Sequence, residues 1–369
     1  MIISRKKGKG MDRNPLSGAP SHHTALDRLF RYAEFLRFGE VHIKFDPITG
    51  LKAIIAIHSL KHGPAIGGCR LVPYMSTDDA LEDALRLAYM MSLKAAISNL
   101  PHGGAKAVLI KPKKIKDREA YMESFGDIIN ALGGRYVTAV DSGTTIADMD
   151  IIAKRTSFVS CTSSPNDNGD PAPHTAFGVR RAIEAAVEFK LNRNNLDGIH
   201  ILIQGVGHAG YHLAKEVSSL GARITICDIN AFVLERCADE FKATICAPED
   251  IYGIPADVFA PCALGAILNL STIERLQVPI IAGSANNQLA HHQYGVMLHD
   301  RGILYAPDFV INAGGLIYAA CMYDHGDPDK SHAQVSDIYS IVMDIFMRSQ
   351  QENRATSQVA EAIALEKLR

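Results

Sequence analysis

A glycine-rich turn between an apolar strand and a helix constrains the fold more than any other stretch of this chain. The strand is predicted at 199–203, and the turn that follows it reads Gly-Val-Gly-His-Ala-Gly at 205–210. The first glycine of such a pattern permits a tight turn, the second lets a diphosphate approach the helix end, and the third lets the helix pack on the strand. These glycines are Gly205, Gly207 and Gly210. The pattern therefore predicts a dinucleotide-binding unit of the Rossmann type.

The end of the next strand indicates which dinucleotide is bound. That strand is predicted at 223–227, and Asp228 follows it directly. A carboxylate there hydrogen-bonds the adenosine ribose and repels a 2′-phosphate, which predicts NAD as the cofactor rather than NADP. Further short strands at 257–260, 278–282 and 303–306 extend the same sheet, and we expect the loops after them to hold the nicotinamide half.

Two lysines in the first half of the chain stand among apolar residues. Lys94 follows Tyr-Met-Met-Ser-Leu near the end of a helix predicted from Ser76 to Asn99, and Lys106 precedes Ala-Val-Leu-Ile at the start of a predicted strand. Burial lowers the pKa of a lysine and lets it act as a base or a carboxylate anchor. The alternative is that both side chains extend to the surface. Asp141, after a strand predicted at 136–140, is equally consistent with a catalytic acid or a cap.

Composition favours a globular enzyme that acts on small molecules. With 47% hydrophobic residues, the 369-residue chain can build cores for two or three domains. Its net charge of −2 argues against a nucleic-acid or membrane partner. The seven scattered cysteines form no C-x-x-C pair, which predicts a reducing, cytoplasmic location. The H-x-x-x-H pairs His58/His62 and His208/His212 lack the Glu of H-E-x-x-H, so we interpret their spacing as incidental and predict no metal.

The two ends of the chain are predicted to differ. Residues 1–25 are polar and basic and lack the apolar segment of a secretory signal, so a disordered extension is expected. A helix is predicted at 25–37. The C-terminal residues 335–369 are predicted to form one or two amphipathic helices that return to the first domain.

Several motifs in fixed order resemble one known family. Those motifs are Gly-Pro-Ala-Ile-Gly-Gly-Cys-Arg at 63–70, Lys94, Gly-Gly-Ala-Lys at 103–106, Asp-Ser-Gly-Thr-Thr at 141–145, Gly-Ser-Ala-Asn-Asn-Gln-Leu at 283–289 and Ile-Asn-Ala-Gly-Gly at 311–315. From about Leu51 to Met347 the chain is similar to the amino acid dehydrogenases of the glutamate/leucine/phenylalanine/valine group, and most closely to its leucine-specific members.

The resemblance implies an α/β fold with two domains and a cleft between them. Residues 1–160 would form a substrate-binding and oligomerisation domain, completed by C-terminal helices at 333–369. Residues 161–332 would form the NAD-binding Rossmann domain. A homo-oligomer, either a dimer or an octamer, is expected.

The resemblance also implies roles for individual residues. Lys94 would bind the substrate carboxylate, Lys106 would be the catalytic lysine, and Asp141 would exchange protons with the amino group. Gly67 and Gly68 would close on the substrate, whose side chain would meet an apolar wall. That wall comprises Ile66, Ala139, Leu316 and Ala319. The cofactor would meet Thr175, Cys262, Ala263, Asn286 and Asn312 in addition to the glycine turn and Asp228.

These roles predict oxidative deamination of leucine, isoleucine and valine to 2-oxo acids with release of ammonia, and the reverse amination. Phenylalanine or valine dehydrogenases of the same family, and a non-catalytic NAD-binding scaffold, are the alternatives. Glutamate is disfavoured because a buried carboxylate would need a cation in the wall. A 2-hydroxy acid dehydrogenase is disfavoured because its chemistry would require a catalytic His and an Arg for the substrate carboxylate, whereas this chain has two lysines.

Overall fold

The computed structural model describes residues 36–164, 169–263 and 265–369, together with residues 30, 33 and 34. The extension predicted at 1–25, and much of the helix predicted at 25–37, lie outside the described residues. Within the described part of the chain, no helix combines the length and the apolar character needed to cross a bilayer.

The first half of the chain forms a mixed five-stranded sheet with helices packed against it. The strands are β1 Glu40–Phe45, β2 Lys52–Ile57, β3 Ala65–Val72, β4 Gly103–Ile110 and β5 Tyr136–Val140, and the helices are α1 Thr77–Ile97, α2 Arg118–Ala131 and α3 Ile146–Ala153. The strand order is β1-β2-β4-β3-β5. Strand β2 runs antiparallel to β1 and β4, whereas β3 runs parallel to β4 and β5. The ends of β3 and β5 therefore meet at one edge of the sheet.

Helix α1 begins and ends close to where its sequence predicts. The Ser76 side chain caps it by accepting a hydrogen bond from the Asp79 backbone N–H, and the acids of the first turn favour the positive helix end. Small residues such as Ala84 and Ala88 are fully buried, so the helix packs closely on β4. Lys94 lies in its last turn.

The structure differs from the sequence pattern in two details of the first sheet. The glycines of the stretch 63–70 permit either a tight turn or a close approach of the backbone, and most of the stretch belongs to β3 in the sheet interior, where Gly67 closely approaches Ala105 of β4. Strand β4 begins at Gly103, so Lys106 stands inside the strand and not at its start. The first two positions of β4 have no room for a side chain, since a Cβ on Gly104 would lie 2.1 Å from the Ser92 backbone nitrogen.

The second half of the chain forms a parallel six-stranded sheet. Its strands are β6 His200–Gln204, β7 Arg223–Cys227, β8 Thr244–Ile245, β9 Val258–Pro261, β10 Ile280–Ile281 and β11 Leu304–Tyr305. The helices here are α4 Ala172–Leu191, α5 His208–Ser219, α6 Ala231–Phe241, α7 Leu270–Ile273, α8 Gln293–Asp300, α9 Asp308–Ile311 and α10 Gly314–His325. The order β8-β7-β6-β9-β10-β11 is that of a doubly wound dinucleotide-binding sheet, with its switch point between β6 and β9. The predicted α/β fold class is confirmed.

Residues 335–369 contain two helices, as predicted, and a third helix precedes them. The three are α11 Pro328–Ser336, α12 Ile338–Glu352 and α13 Thr356–Leu368. Helix α12 packs against α4 of the second half, and α13 packs against α1 of the first. Lys367 Nζ donates a hydrogen bond to Asn99 Oδ1 at 2.6 Å. The chain end therefore lies against the helix that carries Lys94.

Candidate active site

A cavity of about 280 Å³ opens between the two sheets. It is lined by β3, β4 and β5 on one side and by the loops and helices of the parallel sheet on the other. Twelve residues with a predicted role line it: Ile66, Gly67, Gly68, Lys94, Lys106, Ala139, Asp141, Thr175, Asn286, Asn312, Leu316 and Ala319. The cleft thus gathers the predicted catalytic and substrate residues together with part of the predicted cofactor set.

Lys106 and Asp141 form an ion pair at this cleft. Lys106 Nζ donates a hydrogen bond to Asp141 Oδ2, and the two side chains are only 7% and 15% exposed. Burial, helped by the positive charges of Arg70 and Lys94, lowers the pKa of Lys106 to about 7. A lysine whose pKa is lowered in this way releases its proton more readily than a solvated lysine and can then act as a base.

Arg70 is a neighbour of this pair that the sequence did not single out. Its Nη1 donates to Asp83 Oδ2 at 2.9 Å, while its Nε lies 3.6 Å from Asp141 Oδ1 and has no hydrogen-bond partner. The residue belongs to the Gly-Gly-Cys-Arg motif, but its role depends on where β3 lies relative to β5. A strand assignment for β3 would have placed its side chain beside Asp141.

Lys94 is held by a residue from the other side of the cleft. Its Nζ donates to Asn312 Oδ1 at 2.7 Å, and the Asn312 amide nitrogen donates to Asn286 Oδ1 at 2.9 Å. Burial lowers the pKa of Lys94 to about 8, against the opposing effect of Asp308. The sequence did not identify Asp308 as a site residue. Asn312, predicted as a cofactor residue, is also a direct partner of the predicted carboxylate anchor.

The two glycines of β3 make room for neighbouring strands. A Cβ on Gly67 would lie 1.8 Å from the Ala105 carbonyl oxygen, and a Cβ on Gly68 would lie 2.9 Å from the Asp141 Cβ. Both residues line the cleft, as predicted for backbone close to the substrate. Their lack of side chains also lets β4 and β5 bring Lys106 and Asp141 together.

The predicted apolar wall lies within the same cleft. Ile66, Ala139, Leu316 and Ala319 are all less than 9% exposed. Met90 and Met91 of α1 also line the cavity. The described cations of the lining are Arg70, Lys94 and Lys106, and each already has a carboxylate or amide partner.

The glycine turn fits the diphosphate of a dinucleotide. Gly205 has φ +91°, which favours glycine, and a Cβ on Gly210 would lie 2.0 Å from the Gly205 carbonyl oxygen. A Cβ on Gly207 would meet no heavy atom within 4 Å, so open space lies at that residue. Helix α5 begins there without a side-chain cap, which leaves backbone N–H groups for an anion.

The remaining predicted cofactor residues surround this turn and do not line the cavity. Asp228 Oδ2 accepts a hydrogen bond from the Val206 N–H at 2.8 Å, and Oδ1 accepts one from the Asn230 N–H. A Cβ on Gly205 would touch Ala263, and one on Gly210 would lie 3.2 Å from Cys262. Asp228 therefore supports the glycine turn directly and keeps lone pairs for a ribose.

Comparisons with known proteins agree with this geometry. A model described as the Glu/Leu/Phe/Val dehydrogenase dimerisation domain matches residues 37–158, and one described as Glutamate/Leucine/Phenylalanine/Valine dehydrogenase matches residues 231–364. Leucine dehydrogenase of Geobacillus stearothermophilus is 42% identical over 341 residues, covering 92% of this chain and 93% of the relative. Phenylalanine dehydrogenase of Thermoactinomyces intermedius is 38% identical over 339 residues, covering 90% and 92%.

A solved structure extends the likeness to three dimensions. The crystal structure of L-tryptophan dehydrogenase from Nostoc punctiforme superimposes with a TM-score of 0.79 at 37% identity, covering 92% of this chain and 98% of that one. Its substrate differs from those of the relatives above, so the shared features are the fold and the reaction type.

Proposed function

Because this chain belongs to the glutamate/leucine/phenylalanine/valine dehydrogenase family and is an amino acid dehydrogenase, we propose that it deaminates leucine, isoleucine and valine with NAD. The products are 2-oxo acids and ammonia, and the reverse amination uses the same site. The observation that supports this proposal most strongly is the buried Lys106–Asp141 pair at the end of an apolar-walled cleft.

Each charged residue has a role that its surroundings support. Lys94 binds the substrate carboxylate, since a cation in a poorly hydrated cleft is a strong anion partner. Asp141 takes a proton from the substrate ammonium, because the amine must be neutral before the Cα–H bond breaks. NAD, when bound, accepts the hydride from Cα.

Lys106 serves the hydrolytic half of the reaction. With its pKa lowered to about 7, the neutral amine can deprotonate the water that attacks the imine. The resulting cation then stabilises the oxygen of the carbinolamine. Its hydrogen bond to Asp141 gives the proton a short route between the two groups.

The cofactor would span the two groups of predicted residues. Gly205, Gly207 and Gly210 would receive the diphosphate, while Thr175, Asn286 and Asn312 in the cleft would meet the nicotinamide half. Asp228 supports NAD over NADP, because a 2′-phosphate beside its carboxylate would be repelled. The Asp228→Ser variant should show a smaller preference for NAD over NADP in kcat/KM. Equal use of NAD and NADP by the unmodified enzyme would contradict this assignment.

The apolar wall supports branched aliphatic substrates. Ile66, Ala139, Leu316 and Ala319 offer no group to pair with a second carboxylate, and leaving one unpaired costs several kcal/mol. One methylene in such a pocket discriminates by only about 1–3 kcal/mol, so activity on leucine, isoleucine and valine is expected together.

Steady-state kcat/KM for leucine, isoleucine, valine, phenylalanine, tryptophan and glutamate, followed by NADH absorbance at alkaline pH, tests the proposal. The aliphatic three should be preferred, and a tenfold preference for phenylalanine or tryptophan would overturn the substrate assignment. A preference for glutamate would contradict the assignment of the apolar wall to the substrate side chain. Leu316→Val is the matched variant: removing one methylene should raise the leucine-to-valine ratio, by about tenfold at most.

The exposed edge of the first sheet supports self-assembly. Strand β1 has β2 as its partner, and its Ile43 and Phe45 are 63% and 62% exposed. An apolar edge strand is a template for pairing with another chain. We therefore propose a homo-oligomer, a dimer or an octamer, formed through this domain. Light scattering should report more than one chain, Phe45→Lys should weaken the assembly, and a monomeric unmodified protein would contradict it.

A further inference from the structure

Three side chains that commonly bind metals meet beside the glycine turn. His208 and His212 stand on successive turns of α5, and Asp170 comes from the segment that leads into α4. One ligand atom from each lies within 4.8 Å of the others. His208 Nε2 is 2.9 Å from Asp170 Oδ2. None of the three has a role in the proposed amino acid chemistry.

The local structure explains why these groups converge. Residues four apart on a helix lie on one face, and the rings of His208 and His212 have centroids 5.6 Å apart. Asp170 Oδ1 accepts a hydrogen bond from the Ala172 N–H at 2.9 Å, which fixes the carboxylate and turns Oδ2 toward His208. From the sequence, the histidine spacing is interpreted as incidental because the Glu of H-E-x-x-H is absent. The third ligand comes from a different segment.

We propose that Asp170, His208 and His212 form a binding site for a divalent transition metal ion of the Zn²⁺ class. Two imidazoles and one carboxylate suit Zn²⁺ and its neighbours, whereas Mg²⁺ and Ca²⁺ prefer oxygen ligands alone. Three protein ligands leave a coordination position for water. The His208 side chain is 69% exposed, so an ion can enter from solvent.

The negative charge of Asp170 is needed for cation binding because the site lies at the N-terminal end of a helix. The N-terminal end of α5 carries a partial positive charge, which opposes a cation. The carboxylate offsets that opposition as well as supplying an oxygen. Two histidines at the same spacing without the acid should therefore bind the ion far more weakly. Metal binding here does not depend on which amino acid the cleft accepts.

Calorimetric titration of the untagged full-length chain with Zn²⁺ tests the proposal. One equivalent should bind tightly, and His208→Asn and His212→Asn should each weaken that binding at least about tenfold. Asp170→Asn keeps the backbone hydrogen bond but removes the charge, and should also weaken it. His292→Asn is the matched control, because His292 is exposed beside His291 without a place in the group. Unchanged binding in the His208/His212 double variant, or equally tight Mg²⁺ binding, would overturn the site.

Thermal unfolding supplies a second readout. In EDTA the His208→Asn variant should have the same Tm as the unmodified protein, because the His208 side chain is 69% exposed. Added Zn²⁺ should raise the Tm of the unmodified protein and of His292→Asn by preferential binding to the folded state. It should not raise that of the double variant. No rise in the unmodified protein at saturating Zn²⁺ would count against the proposal.

Discussion

The two sheets place their functional groups in different ways. In the mixed sheet, Lys106 stands in the interior of β4, and Lys94 occupies the last turn of a long helix. Around the parallel sheet, several predicted cofactor residues lie in turns that follow strands, among them Gly205, Gly207 and Asp228. Reactive groups need a fixed, poorly hydrated setting that perturbs their charge, whereas a dinucleotide needs open space and free N–H groups. The comparison predicts that substitutions in the first sheet affect chemistry or folding, and those in the second affect affinity.

Lys106→Ala should produce the largest effect. Loss of a general base and its charge stabilisation is expected to lower kcat by about three orders of magnitude or more, while NADH binding is retained. Lys94→Ala should mainly raise KM. Steady-state measurement of kcat and KM separates the effects of the two variants, and NADH fluorescence titration reports cofactor binding. The exposed Lys113→Ala is the control, and near-normal turnover of Lys106→Ala would contradict the mechanism.

Gly67→Ala and Gly207→Ala should separate the two regions by stability. A Cβ at Gly67 would collide with the Ala105 carbonyl, so the free energy of unfolding should fall by about 3 kcal/mol. A Cβ at Gly207 meets open space, so stability should change by less than about 1 kcal/mol while NADH binding weakens. Urea unfolding and NADH titration check both variants. Full stability of Gly67→Ala, or full NADH affinity of Gly207→Ala, would break the comparison.

Arg70→Gln should shift the pH dependence of the reaction. The Arg70 charge helps hold the pKa of Lys106 down at about 7, so the neutral, active amine prevails above that pH. Removing this cation raises the Lys106 pKa and moves the acidic limb of the kcat/KM profile to higher pH. At pH 7 the expected loss is up to about tenfold.

Two variants make this pH test specific. Arg70→Lys keeps the positive charge, so the acidic limb of its kcat/KM profile should lie at the same pH as in the unmodified enzyme. Arg86 also binds Asp83, with Nη2 at 2.9 Å from Oδ1, but it is not among the charges that lower the Lys106 pKa. Arg86→Gln should therefore leave the pH of the acidic limb unchanged. Equal shifts in Arg70→Gln and Arg86→Gln would show that the Asp83 network, and not the Arg70 charge, sets the profile.

Local patterns predicted the parallel sheet well because its signals lie close together in the chain. The strand at 199–203, the glycine turn and the strand at 223–227 each carry their own signal within one unit. Strand β3 was missed because its glycines favour turns, and only the neighbouring strands β4 and β5 make it extended. The conformation of β3 is therefore determined by its pairing with β4 and β5 and not by its own sequence.

The same limit applies to the site. Lys94, Lys106 and Asp141 were identified from their apolar or strand-end settings, and the structure brings them to one cleft. The positions of Arg70 and Asp308 in the cleft depend on pairings between distant segments, so no local pattern predicts that they belong to the site. The prediction that the chain is an amino acid dehydrogenase is confirmed by the comparisons. The individual residue roles stay predictions.

The hydrogen bond from Lys94 to Asn312 has a consequence for turnover. A buried cation without a partner is costly, yet an enzyme must return to an empty site after every product release. The Asn312 amide gives Lys94 a neutral partner in that resting interval, and Asn286 holds the amide in turn. In the proposed role of Lys94, an arriving carboxylate would replace a weaker dipole with a full charge. Each catalytic cycle would then exchange one partner of the ammonium for another.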